Sequence, residues 1–476
     1  MATPIIAAKN LKRIMELNSP VAIIFANIKG NIGDFAILHA MLVDLRRLHP
    51  ERPLHVFPHS CHNMDQLKFD AFRAADVPNF TLCSPIFSRE LPFPLKLLSY
   101  AGLWPLARMI FVRMLDRESS CNVERFTDYY AIFVAGGHQW SGFKGLSMFA
   151  TLRAIHRYNK SLYAYPFSVN GSVRSLSAVS DLKKNFNLLC APLVARDSTS
   201  QSVLESCSQQ TVLGTDCVLE LFNDSKNIPA RKDVNSSRVL LVMAGDRRLL
   251  EKQLRRLVKE LRNNFPRLAL LTTCEIAEGA LFRKLSAEMG LEYCAPVTWQ
   301  EAVSEMKSSA LVISNRLHGL ILASFAGIPI LPVANREKVT SFVKDVSFPF
   351  VVPSLDKISS EFLKEVFRGK VAILEKISSF QEKSSGIPHG PITAFNEVSS
   401  EISAGDLLPQ RQYAMNRQEL MGPPVESASY FRIPTRLPVV RTSDSWASAI
   451  THSLRATSQI IRRVFSAIFA TRTASS

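Results

Sequence analysis

Residues 311–338, LVISNRLHGLILASFAGIPILPVANREK, leave this chain few ways to fold. The β-branched run Leu311-Val312-Ile313 stops at Ser314-Asn315. An apolar segment from Leu317 to Ala326 follows, then Gly327 and a second run from Ile328 to Val333. The pattern predicts strand, helix and strand, with a short and sharply closed crossover. Gly327 stands where a helix C-terminus takes a left-handed residue, and Pro329 prevents the helix from continuing. Arg316 and His318 fall at the strand-to-helix junction, where free backbone N–H groups and the helix dipole already favour an anion. In an open α/β sheet that junction lies outside the carboxyl end of a strand, where ligands bind. The plainer reading pairs Arg316 with a structural carboxylate and leaves His318 to cap a turn.

The same grammar recurs upstream. Val21 to Ala26 is a buried-strand run leading into Asn27-Ile28-Lys29-Gly30-Asn31-Ile32-Gly33-Asp34 and a helix through about Leu48. Its glycines permit close backbone approach to a ligand, and Asp34 either caps the helix or faces a cleft. Tyr129 to Ala135 is a strand ending in Gly136-Gly137-His138-Gln139-Trp140; Trp140 suits either a sugar face or a core. Ser161 to Tyr165 reads as another strand. Leu188 to Ala195 ends at Arg196-Asp197-Ser198, with a helix through Glu205. Arg196 is a candidate anion clamp, or else one half of an Arg–Asp pair at a helix start.

Ser314-Asn315-Arg316-Leu317-His318-Gly319, then Ala323, Gly327-Ile328-Pro329 and Lys338, resembles the C-terminal signature of the polysaccharide pyruvyl transferase family. Asn31-x-Gly33-Asp34 resembles its N-terminal signature, Arg196-Asp197-Ser198 a middle one, and Asp216 one of its acidic positions. The resemblance implies two Rossmann-like parallel-sheet domains facing a cleft, as in GT-B glycosyltransferases. It also implies transfer of a pyruvyl group from phosphoenolpyruvate to a sugar of a polysaccharide or lipid-linked precursor, as a ketal. On that basis Arg316, Leu317, Arg196 and Lys338 would hold phosphoenolpyruvate. His318 would serve as acid or phosphate activator and Asp34 as base, while Asn31, Gly33, Gly136, Gly137, His138 and Trp140 would line the acceptor side. No metal or cofactor is expected beyond phosphoenolpyruvate as co-substrate. The chain departs from the family pattern at Ala135, where a glycine is expected, at Pro166 to Gly171, and at Asn335, where tyrosine is frequent. Two other readings stand beside this one: a GT-B enzyme using a nucleotide sugar, and a catalytically silent partner in polysaccharide assembly.

The expected organisation is an N-terminal domain over 1–222, a linker over 223–237, a second α/β domain over 238–383, a flexible tail over 384–445 and an amphipathic segment over 446–470. Ile358 to Phe380 reads as the last helix of the second domain, and Glu301 and Glu305 as solvent-facing. At 476 residues and 47% hydrophobic content the chain can bury two cores. The net charge of +16 calls for an acidic partner. No basic stripe interleaved with aromatics marks nucleic acid, so phosphorylated small molecules and anionic membrane surfaces remain. Eight scattered cysteines without a Cys-x-x-Cys fit a reducing compartment better than a disulfide scaffold or zinc site. The expected location is cytoplasmic. Two segments could touch lipid as amphipathic surfaces: 86–117, for which packing within the domain is the favoured reading, and 446–470, which could equally dock on protein.

Overall fold

The computed structural model describes residues 19–59, 64–86, 110, 123–137, 142–169, 185–190, 192–207, 210–230, 238–262, 265–385, 387 and 390–391. Expectations for His138 and Trp140, for the segment 86–117 beyond Ile86 and Ile110, and for 446–470 lie outside the described residues. So does the tail, save for a few positions at its start. Among the described residues no helix is long and apolar enough to cross a membrane.

Two parallel five-stranded sheets carry the architecture. The first is built from β1 (Val21–Ala26), β2 (Leu54–Pro58), β3 (Thr81–Leu82), β4 (Ala131–Val134) and β5 (Leu162–Ala164), in the order β3-β2-β1-β4-β5. A separate two-stranded parallel ribbon pairs β6 (Leu193–Ala195) with β7 (Thr211–Leu213). The second sheet comprises β8 (Val239–Val242), β9 (Leu268–Leu271), β10 (Glu292–Cys294), β11 (Leu311–Ser314) and β12 (Ile330–Pro332), ordered β10-β9-β8-β11-β12. Both sheets thus share one doubly wound topology, the arrangement of a GT-B-like fold. Central strands such as VAIIFA, VLLV and LVIS are buried along their whole length, as parallel strands covered on both faces must be.

The helices follow the strands. In chain order they are α1 (Ile32–Leu48), α2 (Gln66–Ala74), α3 (Gly142–His156), α4 (Ser198–Glu205), α5 (Phe222–Ser225), α6 (Arg247–Leu261), α7 (Ala280–Met289), α8 (Trp299–Lys307), α9 (Leu317–Ala326), α10 (Glu337–Val346), α11 (Ser360–Arg368) and α12 (Lys370–Ser385). The strand expected over Leu188 to Ala195 is confined to β6, because residues 188–190 turn before it. The single helix expected over Ile358 to Phe380 is two, α11 and α12, divided at Gly369, whose missing side chain admits the Phe350 ring. The expected linker opens with helical turns, since α5 continues from a 3-10 turn over Cys217–Leu221.

In each sheet the chain reverses its direction of winding between the first strand and the fourth. The two switch points lie between β1 and β4, and between β8 and β11. Such points open a crevice at the carboxyl ends of the strands. One apolar cluster runs continuously from Val21, Ile23 and the buried face of α1 into β8, β9, β11 and α9, so the halves share a core on their facing sides. Phe25, at φ 64°, interrupts the register of β1 against β2. A non-glycine residue in that region is strained, and here it redirects the chain into the loop before α1.

Candidate active site

Local chemistry explains the Ser-Asn-Arg-x-His segment residue by residue. Ser314 Oγ donates to the Val242 carbonyl (2.9 Å) and accepts from the Arg316 amide (3.0 Å). Asn315 exchanges two hydrogen bonds with the Ala244 backbone, at 2.7 and 2.8 Å. Together they tie the end of β11 to the end of β8 and fix where the next two side chains emerge. Gly319 lets α9 sit against that tie, because a Cβ there would fall 2.5 Å from Ser314 Oγ. Arg316 occupies the N-cap position with no side-chain cap, so the first-turn amides of α9 stay available to an anion. Gly327, at φ 65°, closes the helix in the left-handed conformation its position predicts.

The first sheet meets this junction directly. Asn31, not Asp34, caps α1, its side chain accepting from the Gly33 amide (3.2 Å). Asp34 instead accepts from the Asn27 side chain, and its charge reaches Arg316. The Ile32 amide donates to the Thr273 carbonyl (2.9 Å), and Asn31 pairs with Cys274, joining the α1 entry to the loop after β9. Gly33 lies under the His318 imidazole: a Cβ would stand 2.2 Å from Nδ1. The other face of the ring looks to the first half as well, with Nε2 3.4 Å from Asp216 Oδ2.

Asp216 is the hub of the arrangement. Its side chain is 5% exposed, and Arg196 Nη1 approaches the same Oδ2 at 3.4 Å. Burial pushes its carboxyl upward, but His318 and Arg196 more than offset this and hold it well below the usual carboxylate range. Arg196, itself 3% exposed at the side chain, also donates to Ser168 Oγ (2.5 Å) and to the Gly137 carbonyl (3.4 Å). It therefore positions Asp216 and the glycine turn rather than standing open to solvent. Gly137, at φ 71°, presents that carbonyl to Lys338 Nζ as well (3.5 Å), across the two halves. A Cβ on Gly136 would press on Cys217 Sγ and the Pro166 carbonyl.

For Arg316 the structure shows the plainer of its two readings, a pairing with a carboxylate. It is ion-paired with Glu278, and its side chain retains 16% exposure at the seam. Burial, with the charge of Arg336 nearby, draws its guanidinium down to about 10. Glu278 belongs to a π-helical turn over Glu275–Gly279 that leads into α7, a geometry frequent at functional sites. Leu317, the first residue of α9, packs its side chain against the shared core. The structure thus brings Arg316, His318, Gly33, Asp34, Asn31, Arg196, Gly137 and Lys338 to one seam. Sequence reasoning missed Glu278 and Ser168 and gave Asp216 no role. The signal for Asp216 was present in its acidic match; Glu278 and Ser168 sit in stretches with no motif.

Glu305, expected to face solvent, instead joins Glu292 around the buried Arg238, at 3.1 and 3.0 Å. Glu292, Cys294 and Glu305 place their donor atoms within 4.8 Å of one another, and the Arg238 guanidinium lies among them, paired with both carboxylates.

The family model for polysaccharide pyruvyl transferase matches residues 31–337, from the N-cap of α1 to the first residue of α10. The chain is a polysaccharide pyruvyl transferase family member. That makes it a transferase acting on a polysaccharide acceptor. The matched span holds the transferase's two switch-point loops and the Arg196–Asp216–His318 line. No curated protein matches the sequence. Similar solved structures include a putative UDP-N-acetylglucosamine 2-epimerase from Listeria monocytogenes (12% identity, TM-score 0.49, covering 80% of this chain and 95% of that one). Another is Medicago truncatula UGT71G1 complexed with UDP-glucose (12% identity, TM-score 0.49, covering 81% and 98%). A third is the Methanocaldococcus jannaschii UDP-GlcNAc 2-epimerase with UDP-GlcNAc and UDP (12% identity, TM-score 0.47, covering 75% and 92%). At these scores they say nothing of the transferase's own substrates.

Proposed function

We propose that the enzyme transfers the pyruvyl group of phosphoenolpyruvate to a pair of hydroxyls on a sugar, forming a cyclic ketal in a polysaccharide or its lipid-linked precursor. The observation that supports this reading is the placement of Arg316 and His318 at the uncapped start of α9, with Asp216 behind the imidazole. Phosphoenolpyruvate brings a carboxylate and a phosphate, which suit a guanidinium and helix-terminal amides. His318, as imidazolium, delivers a proton to the methylene carbon, and Asp216 stabilises the charged ring as a fixed carboxylate does. The cationic carbon that results is captured by one sugar hydroxyl. Departure of phosphate and capture by the second hydroxyl close the ketal. One hydroxyl proton replaces the one spent on the methylene carbon and the other leaves with phosphate. In this scheme Asp34, which accepts a hydrogen bond from Asn27, takes up a hydroxyl proton.

The test is acceptor-dependent phosphate release from phosphoenolpyruvate by the full chain, over a panel of galactosides, glucosides and mannosides. The expected result is turnover that falls by at least about a hundredfold in His318→Ala and vanishes in the Arg316→Ala/His318→Ala pair. Release of a nucleoside diphosphate from a nucleotide sugar, with no phosphate from phosphoenolpyruvate, would overturn the reading.

A further inference from the structure

The α2 helix enters the seam from the side. Its N-cap, Asp65, accepts from the Lys68 amide (3.2 Å) and packs so closely on the α1 entry loop that a Cβ on Gly30 would lie 2.5 Å from the Asp65 Cβ. That loop is the one joined to Thr273 and Cys274. Lys68, in the first turn of α2, is carried inward by this packing and is only 2% exposed. Its ammonium has no hydrogen-bond partner among the described residues. The titratable and charged groups that reach it are Asp65, the Cys274 thiol, Glu275 and Arg316. Neither carboxylate hydrogen-bonds the ammonium: Asp65 caps its own helix, and Glu275 accepts from Arg283 and from the Tyr293 hydroxyl. The carboxylate beside Arg316 is Glu278, which pairs with Arg316 itself.

A buried ammonium with no partner is a costly thing for a fold to keep, and lysines are almost never fully buried unless paired. Here it is kept on the helix that packs on the α1 entry loop, within electrostatic reach of Arg316. Among the described residues the Lys68 ammonium is left without a hydrogen-bond acceptor, and the first-turn amides of α9 lie uncapped at the same seam. Burial also lowers the pKa of the amine, since desolvation disfavours its charged form.

We propose that Lys68 is a substrate ligand, binding the phosphoryl group of the donor together with Arg316. The identity of that donor as phosphoenolpyruvate rests on the reading above; the assignment of an anion to Lys68 does not.

The test is calorimetric titration of the full chain with phosphoenolpyruvate and, separately, inorganic phosphate, in wild type, Lys68→Met and Lys68→Arg, beside thermal melts without ligand. Lys68→Met is expected to bind both anions about tenfold to a hundredfold more weakly, with Lys68→Arg intermediate. Its ligand-free melting temperature should equal or exceed that of wild type, because an uncompensated buried charge has been removed. Wild-type affinity in Lys68→Met overturns the proposal. So does loss of affinity in both variants together with lowered melting temperatures, since the lysine would then be structural. Lys68-dependent binding of inorganic phosphate without binding of phosphoenolpyruvate supports Lys68 and overturns the donor. A wild-type chain that binds neither anion overturns both.

Discussion

At the scale of single residues, the site is built by glycines as much as by charges. Gly33 exists where it does because the His318 ring fills the volume a side chain would need. Gly33→Ala would push the imidazole away from Asp216 or from the donor. Displacements of about 1 Å in a catalytic group cost on the order of a hundredfold. We therefore expect Gly33→Ala to lower turnover by at least about tenfold, with the far-ultraviolet circular dichroism unchanged and phosphoenolpyruvate affinity nearly kept; unaltered turnover would mean that the ring is free to shift. The motif residues were legible in sequence because each departs from what a plain βα unit needs. Asp216 was legible as an acidic position but not in its role, and Glu278 was not legible at all, because a carboxylate that pairs a cation from another element looks like any surface acid until the elements meet.

Among the elements, α9 illustrates how local and tertiary demands separate. Gly327 is needed for backbone conformation alone: its φ is 65° and nothing lies within 4 Å of a Cβ placed there. Gly319 is needed for space, with Ser314 Oγ at 2.5 Å and Val242 Cγ1 at 3.0 Å from such an atom. Gly327→Ala should cost roughly 1 kcal/mol in urea unfolding and leave activity intact, as a left-handed cap position does. Gly319→Ala should cost more, about 1–3 kcal/mol, and also reduce activity because it separates α9 from the β11–β8 tie. Equal effects from the two would count against this division. The division of α11 from α12 follows similar logic: sequence periodicity ran through Gly369, and only the packed Phe350 ring shows why the helix breaks.

For the molecule as a whole, the two halves are locked by a buried hydrogen bond. Trp299 Nε1 on α8 donates to His39 Nδ1 on α1 at 2.9 Å. An indole nitrogen only donates, so Nδ1 must be unprotonated, and the other ring nitrogen serves the Asp76 backbone. His39 is thus neutral in the fold, its pKa lowered chiefly by burial. A histidine with a lowered folded pKa leaves stability untouched above the unfolded value near 6.5. As pH falls below that value the unfolded chain takes up the proton first, and stability declines until the folded pKa is passed. Each unit of lowering contributes about 1.4 kcal/mol. The melting temperature of wild type should therefore fall more between pH 7.5 and 5.5 than that of His39→Gln, which has no proton to gain. Parallel losses would show that other groups set the acid limb.

Alone, the sequence determined the α/β class, the strands β1, β4, β5, β11 and β12 and the junction bearing Arg316 and His318. These follow from hydrophobic period, glycine and proline position, and free helix-terminal amides, all of which act within a few residues. Tertiary structure alone decided which charges meet. It set Asp216 between Arg196 and His318, turned Arg196 inward to Ser168 and Gly137, gave the cap of α1 to Asn31 and released Asp34, and buried Lys68 beside Arg316. Electrostatic partnership depends on distances between segments far apart in the chain, and only the packing of one switch point against the other sets those distances.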